Sequence, residues 1–136
     1  MKVVYQGIRG AYSEVALRAQ FGSRVKALGL ALSEQVFDAI ENGRADYGIL
    51  PVENTIAGNV IGNSDLFYKR DIFVTAESYL KIEHCLLAVP RNRLKDVNTV
   101  YSHPVALAQC QDFLKRLRIK AVPEYDTAGA AELVAG

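Results

Sequence analysis

Tyr47-Gly48-Ile49-Leu50-Pro51-Val52-Glu53-Asn54-Thr55-Ile56-Ala57-Gly58 decides how the rest of the chain is read. Tyr47–Val52 is a short apolar run of strand character. Glu53–Gly58 is polar and ends on glycine, and a helical stretch over Asn59–Tyr68 follows. A strand that hands over to a helix in this way is the unit of a layered α/β protein. The same succession returns at Ser102-His103-Pro104-Val105-Ala106-Leu107-Ala108-Gln109-Cys110 and at Asp126-Thr127-Ala128-Gly129-Ala130-Ala131. Such junctions carry unpaired backbone N–H groups and the positive end of a helix dipole, both of which favour anions. In open parallel sheets, ligands collect at the carboxyl ends of the strands. Three junctions without a lysine or arginine suggest a site for a small organic acid.

The rhythm extends outward in both directions. Val3–Gln6 reads as a strand, and Tyr12–Phe21 as a helix closed by Gly22. Val25–Leu30 is a second strand, and Ser33 is placed to cap a helix that presents Val36, Phe37 and Ile40 on one face and ends at Gly43. Ile72 to Val89 is rich in β-formers and predicts two strands joined by a crossing segment near Ser78–Lys81. A strand at Thr99–Tyr101, one helix from Pro104 to Arg118, a strand at Ala121–Glu124 and a helix from Thr127 complete the pattern. The fold expected is α/β and two-lobed, with residues 1–78 as a first lobe, 79–136 as a second, and a ligand cleft between lobes. The second lobe has no returning strand, so it reads as incomplete at its C-terminal end and the sequence as a fragment.

Composition narrows the function. Of 136 residues, 50% are hydrophobic and 23% charged, which suffices for a buried core. Sixteen basic against fifteen acidic residues leave a net charge of +1, so neither nucleic acid nor an anionic membrane is an expected partner. No apolar run approaches the roughly 20 residues of a membrane span. Met1–Gly7 reads as a strand rather than a signal peptide, and a cytoplasmic location is expected. A homo-oligomer is compatible with all of this. Cys85 and Cys110 form no CxxC pair and have only two histidines for company, so no metal site is expected and both are read as reduced core thiols.

Gly7-Ile8-Arg9-Gly10-Ala11-Tyr12-Ser13-Glu14 reads as a turn and helix start, with Tyr12 or Ser13 able to face a ligand. It lacks the dinucleotide glycine spacing, and no GK[ST] follows. Asn54 suits an Asx turn, and equally a ligand contact in which its amide both donates and accepts. Ser102 is read as a helix cap with its hydroxyl or N–H available to a cleft. It is not a nucleophile, because adjacent His103 cannot serve it as base and no GxSxG elbow is present. Gln109 interrupts a helix that otherwise buries Leu107, Cys110 and Leu114. Asp126 or Thr127 is an N-cap, and small Ala128 and Gly129 leave the backbone there accessible.

Taken together, GxxGAYSE at Gly7–Glu14, PxENxxxG at Pro51–Gly58, SHPxALxQC at Ser102–Cys110 and YDTAGAA at Tyr125–Ala131 resemble the prephenate dehydratase family. The stretches Ala45–Leu50 and His84–Leu87 are similar to it as well. The resemblance implies a fold like that of type II periplasmic binding proteins, with the active site between lobes. It implies that prephenate loses water and carbon dioxide to give phenylpyruvate, on the way to phenylalanine, without a metal or organic cofactor. By the same analogy Asn54, Ser102 and Gln109 are catalytic. Tyr12, Ser13, Thr55, Gly58, His103, Thr127, Ala128 and Gly129 are then expected to hold substrate. Thr55 stands where the family usually has serine, which keeps the hydroxyl. The family's Thr-Arg-Phe motif and the phenylalanine-binding regulatory domain are absent from these 136 residues. The chain alone is therefore expected to be inactive or weakly active and unregulated by phenylalanine. The alternatives are a small-acid binding module without catalysis and an arogenate dehydratase.

Overall fold

Val3, Val4 and Tyr5 form an apolar run without polar alternation, the pattern of a strand covered on both faces. In the computed structural model, which describes residues 1–136, they are the middle of β1 (Lys2–Gln6). β1 lies between β2 (Lys26–Leu30) and β3 (Tyr47–Ile49), parallel to both, with Val4 opposite Leu28 on one side and Gly48 on the other. Successive side chains on a strand point to opposite faces. Val3 and Tyr5 accordingly pack with Leu17 of α1 (Tyr12–Phe21), whereas Val4 packs with Val36 and Ala39 of α2 (Ser33–Glu41). α2 approaches β3 so closely that a Cβ on Gly48 would meet the Val36 and Ile40 side chains at 2.7 Å.

Beyond β3 the chain makes a small antiparallel hairpin, β4 (Glu53–Asn54) with β5 (Gly58–Asn59), and then α3 (Ile61–Lys69). α3 docks on α2 by two devices. The Phe67 ring stands edge-on to Phe37 at 5.1 Å, and Arg70 reaches Asp38 at 2.8 Å and Glu41 at 2.6 Å. These elements belong to a compact unit, Met1–Lys81.

A second unit, Ile82–Gly136, is built on two parallel strands, β6 (Thr99–Ser102) and β7 (Lys120–Pro123). α4 (Pro104–Gln109), α5 (Gln111–Leu117) and α6 (Thr127–Ala135) accompany them, with Ala106, Leu114, Ile119 and Ala130 buried. Pro104 occupies the first helical position, where its missing N–H costs nothing.

Several expectations are corrected. Ile72–Val89 contains no strand. A strand is held by its ladder, and here none faces it: Phe73, Val74, Tyr79 and Leu87 are all exposed. Cys85 lies in that stretch and is exposed, while Cys110 is half-buried, so the two free thiols are not core residues. The third strand stops at Ile49, two residues before Pro51, which has no N–H to give a ladder. The long helix from Pro104 is broken at Cys110 (φ −99°, ψ 5°), whose N–H is shared between the Ala106 and Leu107 carbonyls. Ser33 does not cap α2. Leu32 holds that position, its N–H donating to Gln35 Oε1 at 3.1 Å, and Ser33 points elsewhere. No helix is long and apolar enough to cross a membrane.

Candidate functional site

α1 and α2 cover opposite faces of the first sheet, so the winding reverses between β1 and β3. In a doubly wound sheet that reversal, at the strands' carboxyl ends, is where a ligand can enter between diverging loops. Tyr12 and Ser13, which open α1, follow the loop after β1. Asn54, Thr55 and Gly58 belong to the hairpin after β3, on the same edge. Beneath them a polar knot closes the sheet. Gln6 Oε1 accepts from Ser33 Oγ at 2.9 Å and from Asn63 Nδ2 at 3.3 Å, and Asn63 Nδ2 also donates to the Pro51 carbonyl at 2.7 Å. Both Ser33 and Asn63 are buried, so their hydrogen bonds are obligatory.

The hairpin decides what Asn54 can offer. Its Oδ1 accepts from the backbone N–H groups of Ile56 at 2.9 Å and Ala57 at 3.0 Å, forming the Asx turn on which the hairpin is built. Gly58, paired with Asn54, takes φ of 81°, a conformation that favours glycine. The turn engages the Asn54 oxygen, and the NH2 is the donor end of the same amide. Thr55 is exposed at the tip.

Glu14 organises the α1 entrance. Its Oε2 accepts from the Gly10 N–H at 2.9 Å and from Tyr5 Oη at 3.3 Å, while Oε1 pairs with Arg18 at 3.1 Å. The Gly10 N–H, opposed by burial and aided by Arg18 and Tyr5, holds the carboxyl below the usual glutamate range. Burial, with the Glu14 carboxylate beside it, raises the Tyr5 phenol. A depressed carboxyl contributes stability above its unfolded pKa, near 4.3, and that contribution fades as pH falls through the lower folded value. Glu14→Gln is therefore expected to cost about 1 kcal/mol at neutral pH and progressively less below about pH 4. Urea titrations of both proteins between pH 7 and 3 measure this. A recess of about 520 Å³ adjoins Glu14 and is lined also by Arg9, Arg18 and Leu28. It contains none of the expected site residues, and Arg18 is already engaged by Glu14 and the Ser23 and Val25 carbonyls.

In the second unit, Ser102 ends β6, and its carbonyl accepts from the Glu124 N–H at 2.9 Å, just past β7. Capping of α4 falls to His103, not Ser102: His103 Nδ1 accepts from the Val105 N–H at 3.2 Å. Asp126 caps α6, its Oδ1 accepting from the Gly129 N–H at 2.6 Å. Ser102, His103 and the Thr127–Gly129 turn thus share the carboxyl edge of β6 and β7. The turn differs from expectation in one respect, because the Asp126 carboxylate already sits on the helix N-terminus. Gln109 stands apart, at the far end of α4, with its Oε1 2.5 Å from His84 Nε2.

Gln6, Glu14, Ser33, Asn63 and His84 escaped the sequence reading as site-forming groups. Only Glu14 carried a local signal, an acidic residue in the first turn of α1. The others find their partners across the fold. No three His, Cys, Asp or Glu side chains converge as a metal site would require.

A family profile described as prephenate dehydratase matches residues 3–136. Arogenate dehydratase 2 of Petunia hybrida is 38% identical over 135 residues, which are 99% of this chain and 34% of that protein. A bifunctional N-acyl-homoserine lactone acylase/prephenate dehydratase of Komagataeibacter europaeus is 37% identical over 132 residues, 97% of this chain and 47% of that one. The crystal structure of the Arthrobacter aurescens prephenate dehydratase in complex with L-Phe superposes with a TM-score of 0.80 at 21% identity. It covers 100% of this chain and 46% of its own, and shows the same fold. The chain therefore spans about a third of the plant relative's length and about half that of the two bacterial proteins. Sequence match along both units, with a fold shared throughout, makes this chain a member of the prephenate dehydratase family.

Proposed function

We propose that this chain carries substrate-holding parts of a prephenate dehydratase, which converts prephenate to phenylpyruvate, water and carbon dioxide. The observation that carries the reading is the family match through both units, combined with motifs at the carboxyl edge of parallel strands in each. Aromatisation supplies the driving force. The protein needs to fix one carboxylate, leave the other free to depart, and assist the leaving hydroxyl. The step is redox-neutral, and the reading assigns no cofactor. Asn54 of the first unit, and Ser102 and Gln109 of the second, are assigned as neutral polar contacts to substrate, and neutral donors hold a carboxylate well in a water-poor site. Tyr12, Ser13, Thr55, Gly58 and His103 complete the contacts. The Asp126 carboxylate repels a second anion, so the Thr127, Ala128 and Gly129 turn suits the substrate's hydroxyl side better than its retained carboxylate. The reading places the protein in the cytoplasm, alone or as a homo-oligomer, and a net charge of +1 offers no electrostatic footprint for nucleic acid or an anionic membrane.

The test is phenylpyruvate formation from prephenate by the 136-residue protein, corrected for spontaneous acid-promoted breakdown, beside saturable prephenate binding. Binding with turnover near background is expected. Absence of binding overturns the reading, and turnover far above background overturns the expectation of weak activity. Tighter binding of arogenate than of prephenate would assign the chain to the arogenate branch of the family.

A further inference from the structure

The histidine that lies outside all four motifs makes a long-range side-chain contact within the second unit. His84 arrives on a stretch without helix or strand, and its Nε2 meets Oε1 of Gln109 across 25 residues of sequence. Gln109 is the final residue of α4, immediately before the break at Cys110. A glutamine there has three rotatable bonds and an amide whose two ends differ chemically, so packing alone fixes neither its reach nor which end it shows.

We propose that His84 is a positioning residue: its Nε2–H donates to Gln109 Oε1, selects one orientation of that amide, and so sets the NH2 as the end Gln109 turns toward substrate. The inference rests on Gln109 belonging to the substrate site. An imidazole carries a hydrogen on Nε2 in the cation and in one neutral tautomer, and Oε1 can only accept. The contact therefore assigns the glutamine oxygen to His84 and aims its NH2 away from the ring. Fixing a flexible side chain before binding removes an ordering cost that substrate would otherwise meet. His84 itself touches no reacting atom in this scheme, and its effect passes entirely through Gln109.

The geometry also chooses the conservative replacement. A glutamine side-chain nitrogen falls near the Nε2 position of histidine, and an asparagine nitrogen near the Nδ1 position. His84→Gln should therefore preserve the tie, whereas His84→Asn and His84→Ala should lose it. The experiment uses the whole 136-residue protein with two readouts: the Gln109 side-chain NH2 resonances in a ¹H–¹⁵N spectrum, and prephenate affinity. Expected is a displaced Gln109 NH2 pair and about tenfold weaker prephenate binding in His84→Ala, with both returned close to the parent in His84→Gln. In a Gln109→Ala background, His84→Ala should change affinity by less than about twofold, the signature of two residues acting as one. An unmoved NH2 pair in His84→Ala overturns the tie. An equal loss of affinity with and without Gln109 overturns action through it. If Gln109→Ala leaves prephenate affinity intact, the site reading falls and the substrate role of His84 falls with it, while the NH2 resonances still report whether the amide is held.

Discussion

Phe37→Ala is expected to lower the stability of the first unit by about 3–5 kcal/mol, the usual cost of emptying a fully buried phenylalanine site. The side chain is 0% exposed. Its ring also meets Phe67 edge-on at 5.1 Å, and such a pair adds about 0.5–1.5 kcal/mol beyond its buried area. Loss of the ring would weaken the seat of α3 on α2, leaving the Arg70 pairs with Asp38 and Glu41 as its other tie. These lie at the surface, where an ion pair is worth about 1 kcal/mol or less. Small domains have about 5–15 kcal/mol in total, so the variant should unfold at markedly lower urea. Phe113→Ala is the control. That ring is 39% exposed beneath Arg116, and its removal should cost well under half as much. Equal losses in the two variants, followed by circular dichroism, would show the core to be placed wrongly.

Asn54→Asp should abolish prephenate binding, by about 100-fold or more, without unfolding the hairpin. The turn needs only an oxygen at Oδ1 to accept from Ile56 and Ala57, and a carboxylate supplies one. What the substitution removes is the NH2 donor. A hydrogen bond to a charged group is worth about 1.5–3 kcal/mol, and a carboxylate facing an anionic substrate adds repulsion. Asn54→Ala loses donor and turn together, so it should weaken binding less through charge and disturb the hairpin more. Prephenate titrations together with backbone amide spectra of residues 53–59 separate the two effects. An Asn54→Asp variant that binds like the parent would exclude Asn54 from the substrate site.

The parts of this fold legible in the sequence were those whose cause is local. The Val3–Val4–Tyr5 run, the Val36–Phe37–Ile40 face and the Asp126 cap each announce themselves within one turn or strand. Ile72–Val89 shows the limit, because β-forming residues specify a strand only when another strand is present to receive it. Ser33 failed for a related reason. Its type and position fit a cap, but a distant acceptor, Gln6, claimed its hydroxyl. At the candidate site, residue types were legible and orientations were not. Nothing in the spelling of Asn54 or Gln109 says that each amide oxygen is already engaged, one by its own turn and the other by His84.

The stretch from Asp71 to Val89, without helix or strand and with Phe73, Val74 and Tyr79 exposed, has a practical consequence. Proteases act most readily on accessible chain outside helices and strands, and this is the longest such stretch of the molecule. Lys81, the last residue of the first unit, lies within it and is exposed. A brief digestion with trypsin thus has a natural place to separate the molecule into its two halves, and each half could then be asked separately whether it keeps its shape.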